Sequence, residues 1–242
     1  MLLGGHRGNP YEHPENTLGS FASAIGLGVD VIECDVHLTA DGRLAVIHDH
    51  TLDRTTNGRG RVSRQTMLEL SRLDAGNGEM VPELAEVLEL ARGKVGVAIE
   101  IKSLPVRYPG LEERLVKVLR EQRMVDECAV ICFDHRVIRR VRDLEDRLVV
   151  GALVAGRPLL LRELLAYARA EVYSPHWSFA DQDVVAETHE CGAVVGVWTV
   201  DDDVTLAEVL NAGVDAVYSN RPGLMAERLA ARGARRPQFT SP

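Results

Sequence analysis

The sequence predicts an α/β fold, a closed barrel of parallel strands ringed by helices. Three observations predict it. Short, near-continuous apolar runs alternate with amphipathic, helix-length segments along the chain, the pattern of strands covered on both faces by helices. About eight such strand–helix units fill 242 residues, a length and repeat that favour a TIM (β/α)8 barrel over an open doubly wound sheet. No GxGxxG opens a helix, so nothing points to a dinucleotide fold.

Taken in order, the strand candidates are LLGG (2–5), VDVIECDV (29–36), VGVAIEI (95–101), CAVICF (128–133), LVVGALV (148–154), EVYS (171–174), AVVGVWTV (193–200) and DAVYS (215–219). Helical patterns lie between them, from ENTLGSFASAIGLG (15–28) to PGLMAERLAARG (222–233), and several stop on a glycine suited to a left-handed C-cap: Gly28, Gly93, Gly192, Gly213 and Gly233. One segment breaks the rhythm. After the second strand, ADGR reads as a hairpin turn and RLAVIHD as a short strand, before a Gly- and Arg-rich loop and a short helix. A connection this long is usually functional or a small inserted subdomain. We place a small insertion after the second strand, at about residues 51–81 of a single 1–242 domain, and expect the tail beyond Gly233 to be loose.

Composition narrows the function. The chain is 45% hydrophobic and 26% charged with a net charge of -8, which argues against nonspecific binding to nucleic acid or anionic membranes. An anionic substrate would need a local cation. MLLGGHRGNP has no basic n-region and too short an apolar run for a signal peptide, and no stretch is long and apolar enough to span a bilayer, so a cytoplasmic location without stable membrane association is expected. Cys34, Cys128, Cys132 and Cys191 form no CxxC pair and read as small buried apolar residues.

Catalytic groups of a parallel barrel gather at the C-terminal ends of its strands. The first strand ends in His6-Arg7-Gly8, the second carries Glu33 and Asp35, the short strand after it ends in His48-Asp49, and the third ends with Glu100 and Lys102. Trp198 closes the seventh. Strand alternation puts Glu33 and Asp35 on one face with Cys34 on the other, and Glu100 with Lys102 against Ile101. Three inward carboxylates on adjacent strands repel one another, and a hard divalent cation, magnesium or calcium, relieves that. The alternative is structural ion pairing, Glu33 with Arg7 and Glu100 with Lys102. His6 and His48 are the acid–base candidates, because imidazole titrates near neutrality. His13, His37 and His50 read as solvated loop residues.

HRG near the start, HPENT (13–17), E-C-D-V (33–36), HDHTLDRTTNG (48–58), EIK (100–102) and VWTV (197–200) stand in one order over nearly the whole chain. Together they resemble the glycerophosphodiester phosphodiesterase family. One departure is visible: VDAVYSNRP stands where the family's DGI-x-TD-x-P would, with Asn220 in place of Asp. The resemblance implies a TIM barrel that uses one divalent cation to hydrolyse glycerophosphodiesters, such as glycerophosphocholine or glycerophosphoethanolamine, to sn-glycerol 3-phosphate and an alcohol. It implies Glu33, Asp35 and Glu100 as metal ligands, His6 and His48 as the acid–base pair, and Arg7 and Lys102 as phosphate holders. Trp198 is expected to line the glycerol pocket, with barrel packing as the alternative. A cyclic glycerol phosphate intermediate, His6 as base, His48 as acid, and a monomer or homodimer are expected. Two rivals are a lyase or lysophospholipase D-like activity on lysophospholipids, disfavoured by the lack of an apolar surface stretch, and a non-catalytic binding barrel.

Overall fold

Nine strands and nine α-helices, alternating except where β2 runs into β3 and α2 into α3, make up the computed structural model, which describes residues 1–234. The tail beyond Gly233 that the sequence marks as loose therefore lies, from residue 235 on, outside the described residues. The strands are β1 (Leu2–His6), β2 (Val31–Leu38), β3 (Leu44–Val46), β4 (Gly96–Ile101), β5 (Cys128–Cys132), β6 (Val149–Val154), β7 (Val172–Pro175), β8 (Val194–Val197) and β9 (Ala216–Ser219). All except β3 pair in parallel, in the order β1-β9-β8-β7-β6-β5-β4-β2, and β1 pairs again with β2. That last pairing closes the sheet into an eight-stranded barrel.

Helices α1 (Leu18–Gly26), α3 (Leu84–Ala91), α4 (Leu111–Gln122), α5 (His135–Leu144), α6 (Leu161–Ala168), α7 (Gln182–Glu190), α8 (Asp203–Ala212) and α9 (Pro222–Ala231) form the outer ring, while α2 (Met67–Leu70) belongs to the connection after β3. Side chains cap several starts: Thr17, Asp134, Asp181 and Asp202 accept backbone N–H bonds from the first turns of α1, α5, α7 and α8, which satisfies donors that a helix leaves orphaned.

The main core lies between strands and helices. Ile32, Cys34 and Val36 on β2 join it fully buried, and burying a side chain such as Ile32 is worth about 1.5–3 kcal/mol. The barrel interior holds a second, smaller cluster of Ala98, Ile131 and Leu153 with Trp198 and Tyr218 packed on it. Gly4 makes room for it: a Cβ there would lie 2.3 Å from the Tyr218 ring.

After β2 the chain turns back as an antiparallel hairpin, with Val46 opposite Val36 and Leu44 opposite Leu38. That direction returns residues 47–49 alongside the site-bearing end of β2, where Ile47 N donates to Asp35 O. Residues beyond the hairpin pack on their own apolar cluster, built on Ile47, Leu52, Val62, Met67 and Leu70. Thr66 and Glu69 close a capping box at the start of α2. Cys34, Cys128 and Cys132 are buried as expected, whereas Cys191 is exposed, because it caps the solvent end of α7 instead of entering a strand.

Candidate active site

Strand register assembles the carboxylates. His6 aligns with Glu33 across β1–β2, and Asp35 aligns with Glu100 across β2–β4. Each inward residue therefore sits beside the next, and Glu33, Asp35 and Glu100 offer oxygen atoms that all lie within 4.8 Å of one another. The three are buried, at 3%, 0% and 7% exposure.

The backbone around β1 is shaped to serve them. Arg7 (φ 56) and Gly8 (φ 90) are both left-handed, and Arg7 N donates to Glu33 Oε2 at 3.0 Å. Gly8 has no substitute, since a Cβ would fall 2.4 Å from Ser20 Oγ and 2.6 Å from its backbone carbon. The Arg7 guanidinium turns to Glu15 (2.9 Å) and to Asp35 (Nε to Oδ2, 3.4 Å). Lys102 Nζ lies between Glu100 (2.7 Å) and Asp35 (2.9 Å). Of the two ion pairs weighed from the sequence, Glu100–Lys102 forms; Arg7 reaches Glu33 through its backbone N–H instead of its side chain.

These pairs leave charge unbalanced. Burial, then Asp35 and Glu100, push the Glu33 carboxyl well above its ordinary range. Burial and Asp35 likewise raise Glu100 to about 7 against the pull of Lys102. Burial opposes ionisation of Asp35 too, but Lys102 and Arg7 overcome it and hold that carboxyl well below the usual range. Among the described residues Glu33 Oε1 is buried with no hydrogen-bond partner, while Asp35 Oδ1 lies 2.9 Å from the Lys102 ammonium. Oxygens that converge and repel, one of them without a partner, fit a hard divalent cation, which takes oxygen ligands and removes the repulsion.

Both histidines face the same cavity of about 260 Å³, which also meets Arg7, Lys102 and Trp198. His6 Nδ1 lies 2.7 Å from Asn220 Oδ1, and its Nε2 lies 4.0 Å from Glu33 Oε2. Burial, then Arg7, lower its pKa to about 4, so the ring is neutral near pH 7. His48 Nδ1 lies 2.7 Å from Asp49 Oδ1. Burial lowers its pKa as well, with Lys102 and Arg7 adding and Asp35 and Asp49 opposing. The far wall is apolar: Ile131, Phe133 and Leu153 line it, and Phe133 meets Trp198 edge to face at 5.7 Å. A larger groove of about 410 Å³ lies outside the barrel, against Tyr108, Arg107 and Arg136, and holds no histidine.

Several residues that the sequence reading did not select support this site. Asn16 (φ 58) donates Nδ2 to Asp35 Oδ2 at 2.7 Å and accepts Asp35 N on Oδ1 at 3.2 Å. Arg54 bonds Glu15 and Asp49 together, tying the loop before α1 to the loop that carries His48. The HPENT and LDRTTNG runs were the available signal. His37, read as a solvated loop residue, is buried at 1% exposure. It lies on β2 and holds Tyr108 Oη (2.7 Å) and the His48 carbonyl (3.0 Å), so it fixes the backbone at His48. Leu104, Leu159 and Leu160 stand exposed in the loops after β4 and β6. Among the described residues no helix is long and apolar enough to cross a membrane.

Comparison with known proteins gives a consistent picture. Residues 6–224 match the model of the glycerophosphoryl diester phosphodiesterase family. A glycerophosphodiester phosphodiesterase of Caldanaerobacter subterraneus is 38% identical over 231 residues, covering 91% of this chain and 94% of that protein. One from Bacillus altitudinis is 34% identical, covering 90% and 93%. Among solved structures, an Oleispira antarctica phosphodiesterase in complex with the product sn-glycerol-3-phosphate superposes with a TM-score of 0.86 at 29% identity, covering 94% of this chain and 97% of that one.

Proposed function

Since the chain belongs to the glycerophosphoryl diester phosphodiesterase family and is a phosphoric diester hydrolase by class, we propose that it cleaves small glycerophosphodiesters, such as glycerophosphocholine or glycerophosphoethanolamine, to sn-glycerol 3-phosphate and the free alcohol, by histidine acid–base catalysis. One observation carries the reading: Glu33, Glu100, two histidines and two cationic side chains line one cavity at the C-terminal end of the barrel, with Asp35 buried within 4.8 Å of both carboxylates.

Glu33, Asp35 and Glu100 would hold one divalent cation, magnesium or calcium. Such an ion supplies Lewis-acid charge to the phosphate and acidifies a nearby hydroxyl. The side chains do the rest. His6, neutral and half-buried, takes the proton from the glycerol hydroxyl next to the phosphate. That oxygen bonds to phosphorus, the bond to the leaving oxygen breaks, and His48 gives that oxygen its proton. The product of this half is a cyclic glycerol phosphate. Water then opens the ring: His48 takes a proton from the water, and His6 returns its proton to the glycerol oxygen. Arg7 and Lys102 place positive charge where the phosphorane forms and recruit an anion to an acidic protein. Trp198 and Phe133 give the substrate an apolar face to lie against.

The test is to incubate the purified protein with glycerophosphocholine, with and without thorough chelation, and to measure glycerol 3-phosphate. Activity that survives chelation, or a wild-type rate in His6→Ala or His48→Ala, sinks the reading. A second reading rests on exposed Leu104, Leu159 and Leu160: these could seat an acyl chain, making lysophospholipids the substrates. Phosphorus NMR of the products from lysophosphatidylcholine decides between turnover, cyclic product and no reaction.

A further inference from the structure

Asn220 is bound on both sides of its amide. Nδ2 donates to Asp201 Oδ2 at 2.8 Å, and Oδ1 lies 2.7 Å from His6 Nδ1. The orientation of that amide is dictated by chemistry. Asp201 already accepts Asn220 N (2.7 Å) and Ser219 Oγ (2.9 Å) on Oδ1, and a carboxylate only accepts. Turning the amide over would set its carbonyl oxygen against a carboxylate oxygen. The NH₂ therefore faces Asp201 and the carbonyl oxygen faces His6.

A carbonyl oxygen carries no hydrogen, so a contact of 2.7 Å with Nδ1 is a hydrogen bond only if Nδ1 carries the proton. In a neutral imidazole that leaves Nε2 bare. Nε2 is the nitrogen on the Glu33 side of the ring, where the reacting hydroxyl of the proposed mechanism would lie. From this geometry we infer that Asn220, braced by Asp201, is a positioning residue that holds His6 in the Nδ1–H tautomer and so makes Nε2 the proton acceptor of the reaction. The inference rests on the functional reading above for its meaning, but the tautomer itself can be observed without any turnover.

Because Asp201 and Asn220 are partners, their roles can be exchanged. In the double variant D201N/N220D, the carboxylate at 220 accepts from His6 Nδ1, and the amide at 201 donates to it. Asn220→Ala, by contrast, leaves Nδ1 without an acceptor and frees the ring to protonate at either nitrogen.

The full chain, labelled with 15N-histidine and loaded with magnesium, is examined by long-range 15N–1H correlation at pH 8. The wild type is expected to show His6 protonated on Nδ1 and bare on Nε2. Asn220→Ala is expected to populate the other tautomer and to lose on the order of 10-fold or more in kcat with little change in KM, since only the proton transfer is affected. The D201N/N220D swap should restore the tautomer and most of kcat. A wild-type His6 protonated on Nε2 overturns the inference, as does an Asn220→Ala protein that keeps the Nδ1–H form, or one that changes tautomer at full kcat. If Asn220→Ala does not fold, the wild-type spectrum still decides. A His6→Ala protein with full activity would refute the functional reading separately, whatever the spectrum shows.

Discussion

Asn16 offers the sharpest test of how the carboxylate cluster is held. Its amide makes two bonds to Asp35, one to the side chain at 2.7 Å and one from the backbone N–H at 3.2 Å. Asn16 and Asp35 are both buried, at 2% and 0% exposure. A hydrogen bond to a charged group contributes about 1.5–3 kcal/mol, and a buried N–H left without a partner costs about 1–3 kcal/mol. Removing the amide should therefore destabilise the metal-free protein by about 3–5 kcal/mol. At a urea slope of about 2–3 kcal/mol per molar, the midpoint would drop by about 1–2 M. Asn16→Gly is the cleaner variant, because it keeps the left-handed backbone (φ 58) open to the residue; Asn16→Ala adds strain of about 1–2 kcal/mol there. With Asp35 free to rotate, magnesium affinity by titration calorimetry should fall about 10–100-fold. An Asn16→Gly protein within about 0.5 kcal/mol of wild type, the range of an ordinary surface change, and with unaltered magnesium affinity would refute the argument.

Other outcomes follow from the same electrostatics. Glu100, raised to about 7 from an ordinary 4.5, keeps its proton longer in the folded than in the unfolded chain. This group therefore costs the metal-free protein nothing below about pH 4.5, and a penalty of about 3 kcal/mol builds as pH rises through about 7. Glu100→Gln should remove that slope, leaving a metal-free variant more stable than wild type at pH 8 in urea denaturation, yet unable to bind magnesium. Asp35, held below its range, acts in the opposite sense and in a lower, acidic window. Magnesium or calcium at 100 times its dissociation constant should stabilise the wild type by about 2.7 kcal/mol, read as a rise in Tm that chelation reverses. His6→Ala and His48→Ala should each lower kcat by about 10²–10⁴-fold in the glycerol 3-phosphate assay while leaving magnesium binding in place.

Much of the barrel was legible because its signals are local. Apolar runs such as Val95–Ile101 mark strands buried on both faces, and Gly213, left-handed at φ 85, stops α8 as its position after an amphipathic run suggests. Alternation alone placed Glu33 and Asp35 opposite Cys34, and Cys34 packs with the helix layer. What the sequence hid depends on loop conformation and side-chain reach. Nothing in HPENT states that Asn16 turns left-handed and reaches across to Asp35, nor that Arg7 offers its backbone to Glu33 while its guanidinium goes elsewhere. His37 was misread for a related reason. Polar residues near a turn are usually solvated, but here the hairpin folds over β2 and Tyr108 covers the ring.

The barrel interior is divided by sequence position. The carboxylates, both histidines, Arg7 and Lys102 all come from the first 102 residues, whereas Ile131, Phe133, Leu153 and Trp198 on the facing wall come from β5 onward. On the proposed mechanism, the groups that would break the bond and the apolar wall the substrate would lie against come from separate stretches of chain, coupled through Asn220 on the seam beyond β9. A gene recombined between β4 and β5 would take its carboxylates, histidines, Arg7 and Lys102 from one parent and its apolar wall from the other. Chimeras of this chain with a relative of different substrate preference should keep the metal requirement of the parent that supplies residues 1–102, and differ in substrate profile and, through residue 220, in kcat.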